Sequence, residues 1–159
     1  MNLKKMTVAI LSGIALLAFL AGAYFYNRSL QTAQEERATK QAERLVRMHS
    51  PALGPQNAPV TIVEFFDPAC ETCRAFYPMV KNLLRQYPDH LRLVIRYAPF
   101  HHGSDEVVKL LEAAKRQDKY WPVLEMVLAT QPMWADHANP NVEVAYKAAE
   151  QAGLDLARA

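Results

Sequence analysis

The chain has 159 residues, 51% hydrophobic and 21% charged, a balance that excludes disordered, collagen-like and low-complexity proteins. Its net charge of +2 comes from Lys4 and Lys5, ahead of a long apolar run; without those two, 18 basic residues become 16 against 16 acidic ones, which leaves no surplus for nucleic acid. Two cysteines are too few for a disulfide-stapled mini-protein or a four-cysteine zinc site, and the five scattered glycines form no phosphate loop.

Met6 to Tyr26 (MTVAILSGIALLAFLAGAYFY) carries no charged side chain. At ~1.5 Å per residue, about 20 helical residues cross a ~30 Å hydrocarbon layer. Residues 1–27 are therefore expected to be a single-pass anchor in the inner, cytoplasmic membrane, with Lys4 and Lys5 on the cytoplasmic side. A cleaved signal peptide competes, because Ala21-Gly22-Ala23 has the form of a cleavage site. The apolar run, however, continues through Tyr26, past the ~7–15 residues of a signal core. On either reading, everything after residue 27 faces the periplasmic, extracytoplasmic side.

Residues 28–58 are expected to form a helical stalk followed by a proline-rich connector. Glu36–Lys40 and Glu43–Arg47 are i,i+4 pairs in the favourable order, and Pro51, Gly54, Pro55 and Pro59 break the helix. The globular domain is expected over 59–159. Val60–Phe66 is β-branched and aromatic between two prolines, which predicts a buried strand. Cys70–Tyr87 has helical periodicity with Pro78 as a kink, and Leu91–Tyr97 predicts a second strand. Strand, helix and strand at this spacing make a right-handed βαβ unit with parallel strands, hence an α/β fold. Ser104 is the expected N-cap of the next helix. Another apolar stretch covers Tyr120–Ala129. A last helix is expected from about Pro140 to Ala152, capped by Asn139 and stopped by Gly153. Phe100, Tyr120, Trp121 and Trp134 are expected as the aromatic core of this helical part.

Both cysteines fall in one C-x-x-C, Cys70-Glu71-Thr72-Cys73, between a strand and a helix. Residues i and i+3 share a helix face, so the two sulfurs can approach bonding distance. The first cysteine lies where free amides and the helix dipole favour a thiolate, the attacking species. Cys73, one turn deeper, is the expected resolving thiol. A static disulfide would be a poor staple, since its loop is very short. Half a metal site is a further alternative, whereas haem attachment requires a histidine where Arg74 stands.

The stretch PALGPQNAPVTIVEFFDPACETCRAFYPMV resembles the opening of the DsbA-like thioredoxin-fold thiol:disulfide oxidoreductases. The resemblance runs from about Pro51 to the end of the chain. It implies a thioredoxin-like fold with an inserted helical segment and a redox-active disulfide between Cys70 and Cys73. It places the family's strand acid on Glu64 and its helix proline on Pro78. It also implies protein thiols and disulfides as substrates, a redox partner protein, and no cofactor. Members of the family continue with a cis-proline loop, two strands and a helix, so the chain is expected to hold an incomplete, partial copy of that fold. Its Glu71-Thr72 dipeptide is expected to tune the redox centre, because the Glu71 charge works against the helix dipole.

Glu64 also has a reading of its own. A carboxylate among Val, Ile and Phe is expensive to bury, and desolvation should raise its pKa. Such a group could relay a proton to or from Cys73; pointing to solvent on the other strand face is the alternative. His101 and His102 carry the second functional reading, a membrane-tethered metal-handling protein that uses them with the cysteine pair. Adjacent histidines rarely bind one ion together, so they are expected as loop residues near the motif and no metal is assigned.

Overall fold

The computed structural model describes the backbone of residues 3–159 and the side chains of residues 11–41 and 44–159. The chain divides after Leu45 into two compact units.

The first unit is one helix, α1 (Leu3–Leu45). Between Leu11 and Tyr26 its large apolar side chains stand exposed. Five residues of the expected membrane span, 6–10, have side chains outside the described residues. Among the described residues, no helix is long and apolar enough to cross a membrane.

The second unit contains a three-stranded sheet and five further α-helices, β1 (Ala52–Leu53), β2 (Val60–Phe66), α2 (Glu71–Gln86), β3 (Leu91–Tyr97), α3 (Ser104–Arg116), α4 (Tyr120–Ala129), α5 (Gln131–Trp134) and α6 (Val142–Gln151), followed by a 3-10 turn at Leu156–Arg158. Strand order is β1-β3-β2. β2 and β3 run parallel, from Val60 opposite Leu91 to Phe66 opposite Tyr97. The expected connector is thus part of the fold, because β1 pairs antiparallel with β3 through Ala52–Val94 and Leu53–Leu93. Gly54 turns the chain out of β1 at φ +101°, where a Cβ would meet the Leu91 carbonyl oxygen at 2.4 Å.

Side chains alternate along a strand, so Ile62, Glu64 and Phe66 share one face with Leu93, Ile95 and Tyr97. That face carries the core. Phe66, Leu93 and Ile95 pack there with Tyr77 and Leu84 of α2, and with Val107, Leu111, Val123, Leu124 and Trp134 of the helical layer. The Tyr77 hydroxyl donates to Glu125 Oε1 at 3.1 Å and Lys81 Nζ pairs with the same oxygen at 2.9 Å, which ties α2 to α4.

Several local expectations shift. Ser104 does not cap α3; Gly103 holds that position at φ +79°, and the serine hydroxyl bonds elsewhere. The last helix begins at Val142 behind Asn141, two residues later than expected, and Gly153 follows it at φ +90°. Tyr120 and Trp134 are core residues, but Phe100 is 89% exposed, because its backbone rather than its ring is anchored.

Candidate active site

α2 begins directly after Cys70, whose backbone is extended (φ −77°, ψ 119°) while its carbonyl accepts the first helical bond from the Arg74 amide at 3.1 Å. Cys70 is therefore the N-cap, and Cys73 lies in the first turn. Both are partly buried and carry free thiols. Burial pushes the Cys73 thiol up to about 11, with Cys70 and Glu64 adding to the rise and the Asp67 amide opposing it.

Glu64 lies on the core face of β2. Its Oε2 is buried without a hydrogen-bond partner, and desolvation raises its pKa. Cys73, Thr72 and Glu64 line one open, largely apolar groove of about 240 Å³ together with Ile62, Phe65 and Phe76. The groove lies where β2 forms the free edge of the sheet.

The approach to Cys70 is fixed by a residue that sequence reasoning missed. Asp67 is 4% exposed and accepts from five donors. Its Oδ1 takes the Ala69 amide at 2.9 Å and the Ser104 hydroxyl. Its Oδ2 takes the Phe100 amide at 2.7 Å, the His101 amide at 3.1 Å and His101 Nδ1 at 2.7 Å. An ionised carboxylate can only accept, so Nδ1 carries the proton. Burial by itself would raise the Asp67 pKa, but the bonds from Ser104, His101, Ala69 and Phe100 outweigh it and hold the carboxyl below its ordinary value.

A second missed residue, Gln131 of α5, reaches the same turn from the other side, with Nε2 donating to the Pro68 and Cys70 carbonyls. The third is His137. Its Nε2 lies 3.0 Å from Glu71 Oε1, and its ring packs against His101 at a tilt of 42° with centroids 5.0 Å apart. The Glu71 carboxyl is held below its ordinary value first by its own backbone amide and then by His137. The charge expected to oppose the helix dipole thus has a cationic partner whenever His137 is protonated. Gln131 and His137 had no local signal, since their partners lie on other elements, and of the Asp67 contacts only the one from the Ala69 amide is local.

The structure places His101 beside the motif and leaves His102 exposed. Among the described residues, no three His, Cys, Asp or Glu side chains converge as a metal-ligand set, so the metal-handling alternative has no donor cluster there.

A family model described as thioredoxin matches residues 47–158. The chain belongs to the thioredoxin family. The match covers the whole sheet and every helix after α1. Among solved structures, a thioredoxin-like oxidoreductase from Silicibacter pomeroyi DSS-3 is 31% identical, with a TM-score of 0.61, covering 70% of this chain and 61% of that one. Wolbachia pipientis alpha-DsbA1 shares the fold at 16% identity and TM-score 0.63, covering 72% of this chain and 59% of that one. The DsbA-like resemblance read from residues 51–80 agrees with these thioredoxin-family neighbours. A curated relative, the Na(+)/H(+) antiporter NhaA of Herminiimonas arsenicoxydans, is 33% identical over 105 residues, which are 66% of this thioredoxin-family chain and 16% of the antiporter. The chain thus spans about three-fifths of the solved thioredoxin-like relatives and under a fifth of that antiporter.

Proposed function

We propose that this protein is a thiol:disulfide oxidoreductase acting on protein thiols outside the cytoplasm, with Cys70 as nucleophile and Cys73 as resolving thiol. The observation that carries the reading is the pair's placement: one thiol at the N-cap of α2, the other one turn in, above a buried carboxylate. In the reducing direction, the Cys70 thiolate attacks one sulfur of a substrate disulfide, and the other substrate sulfur leaves as a thiolate. Cys73 then loses its proton and attacks Cys70 Sγ. The mixed disulfide breaks, the second substrate sulfur leaves as a thiolate, and the enzyme holds the Cys70–Cys73 disulfide. Two electrons have passed to the substrate. The reverse sequence oxidises a substrate dithiol. The apolar groove beside Cys73 suits an unfolded or extended polypeptide rather than a small polar thiol.

With its thiol near 11, Cys73 needs a base, and Glu64 supplies one in this reading. Glu64→Gln then has two opposed effects. A carboxyl whose folded pKa is raised takes stability away as pH climbs past the unfolded value of 4.5. The variant is therefore expected to melt a few degrees higher than the parent at pH 8, the gap closing below pH 4. Its resolution step is expected to slow by about 100-fold. Thermal melts and stopped-flow exchange measure the two. A variant less stable at pH 8, or one that exchanges at the parent rate, contradicts the assignment.

The extracytoplasmic placement rests on the charge-free run Met6–Tyr26, behind Lys4 and Lys5. Apolar side chains exposed around a helix are costly in water and suit lipid. A reporter enzyme that is active only outside the cytoplasm, fused after Ala159, is expected to be active; an inactive fusion of normal abundance contradicts this placement. The activity itself is tested by letting the purified full chain catalyse reduction of a protein disulfide by dithiothreitol. Catalysis lost in Cys70→Ser is expected; a parent no faster than dithiothreitol alone overturns the reading.

A further inference from the structure

Gln131 is buried, 1% exposed, and 61 residues from Cys70 in sequence. Its side-chain amide spends both N–H donors and one acceptor site on the redox turn. Oε1 accepts from Arg74 Nε at 2.8 Å, and Nε2 donates to the Pro68 carbonyl at 2.8 Å and the Cys70 carbonyl at 3.0 Å. The orientation is unambiguous, because Arg74 Nε can only donate and the two carbonyls can only accept. Only a carboxamide offers this set, and asparagine's is one methylene shorter. A hydroxyl has one hydrogen, and a carboxylate has none for the carbonyls.

The three contacts bracket the nucleophile. Pro68 lies two residues before Cys70 and Arg74 four residues after it, and the third contact is to Cys70 itself. Asp67 ties the preceding turn to the Phe100–Ser104 loop, whereas Gln131 ties it to α5. α5 is in turn set by Trp134, whose Nε1 donates to the Val127 carbonyl of α4 at 3.0 Å.

We propose that Gln131 is a positioning residue for Cys70. By holding the carbonyls of Pro68 and Cys70 and the side chain of Arg74, it fixes the N-cap backbone and so the direction of the Cys70 sulfur, and it couples the helical layer to the redox centre. The proposal rests on Cys70 being the nucleophile.

Two variants in the full chain test it. Gln131→Met keeps the length of the side chain and removes all three bonds. Gln131→Glu keeps the acceptor for Arg74 but, while ionised, turns an oxygen toward two carbonyls; once protonated it regains one donor. Both are assayed well below their melting temperatures, so that only folded protein is read. At pH 8 both are expected to lose about tenfold in the second-order rate of exchange with a protein disulfide. They are expected to lose a comparable factor in alkylation of Cys70 by iodoacetamide, which reads the thiol without reference to any substrate. As pH falls to about 5, Gln131→Glu is expected to recover toward the parent measured at the same pH, while Gln131→Met does not. Parent-like alkylation rates in both folded variants overturn the proposal, as does a Gln131→Glu profile that tracks Gln131→Met at every pH. A parent that alkylates at Cys70 and responds to Gln131, yet exchanges no protein disulfide, would leave the positioning role standing and overturn the functional reading instead.

Discussion

Replacing Cys73 by serine is expected to trap covalent adducts between this protein and its protein substrates, while Cys70→Ser forms none. The asymmetry follows from the positions of the two thiols on α2. Cys70 ends an extended segment and precedes the first helical amide, so an incoming disulfide meets it first. Cys73 is within the turn, its proton held more tightly by burial. Once the mixed disulfide has formed at Cys70, only Cys73 is near enough in the chain to break it, since these are the two cysteines of the sequence. Serine at 73 leaves that intermediate with no resolving thiol. The adducts are read on non-reducing gels and vanish with dithiothreitol. Turnover should fall to the uncatalysed rate in both variants. Adducts formed by Cys70→Ser and not by Cys73→Ser would reverse the roles.

The second large effect belongs to a residue without redox chemistry. Asp67→Ala is expected to cost about 3–5 kcal/mol of stability, the range for breaking a buried, hydrogen-bonded ionic cluster. It leaves the Ser104 hydroxyl, three backbone amides and His101 Nδ1 without their acceptor. Asp67→Asn is expected to fall between, because its amide keeps one acceptor oxygen and turns an N–H2 group toward donors. The sign of the pH dependence is fixed. A carboxyl with a depressed folded pKa contributes its full stability above the unfolded value of 3.8, and that contribution is lost as pH falls through the folded one. Below about pH 4 the parent should therefore lose stability faster than Asp67→Asn, and the gap between them should narrow. Urea titrations at pH 7, 4 and 3, followed by near-ultraviolet circular dichroism of the buried aromatic core, measure this. A gap that widens on acidification contradicts the assignment of Asp67 as an ionised anchor.

The reading from sequence was strongest where information is local. β2, α2 and β3 could be drawn from their patterning, since a seven-residue run between prolines with six β-branched or aromatic side chains has few other uses, although β2 lies at the sheet edge and is fully buried at Phe66 alone. The cysteine pair could be read because its spacing and its place at a helix start are both written within four residues. β1 could not, because two residues carry no period and this strand exists only through its pairing with β3. Ser104 has the composition of a cap, but a carboxylate 37 residues away competes for its hydroxyl. The size of the Phe100 ring suggests a core position, but its place is decided by its backbone amide. Glu64 could be singled out as an acid in an apolar strand. Its face follows only from the register with β3 and from the helices that cover that side. Gln131 and His137 were invisible in sequence because each meets the motif across the fold, from α5 and the loop after it.

Equilibrating the full chain in glutathione buffers of graded potential, quenching with an alkylating reagent and weighing the product tests the central claim most directly. The expected result is one two-electron transition in which Cys70 and Cys73 lose their alkylation together, with a mass two hydrogens lighter and no crosslink between chains. Two thiols that react independently across the whole range, or that end only as separate glutathione adducts, would contradict a redox centre built from this pair.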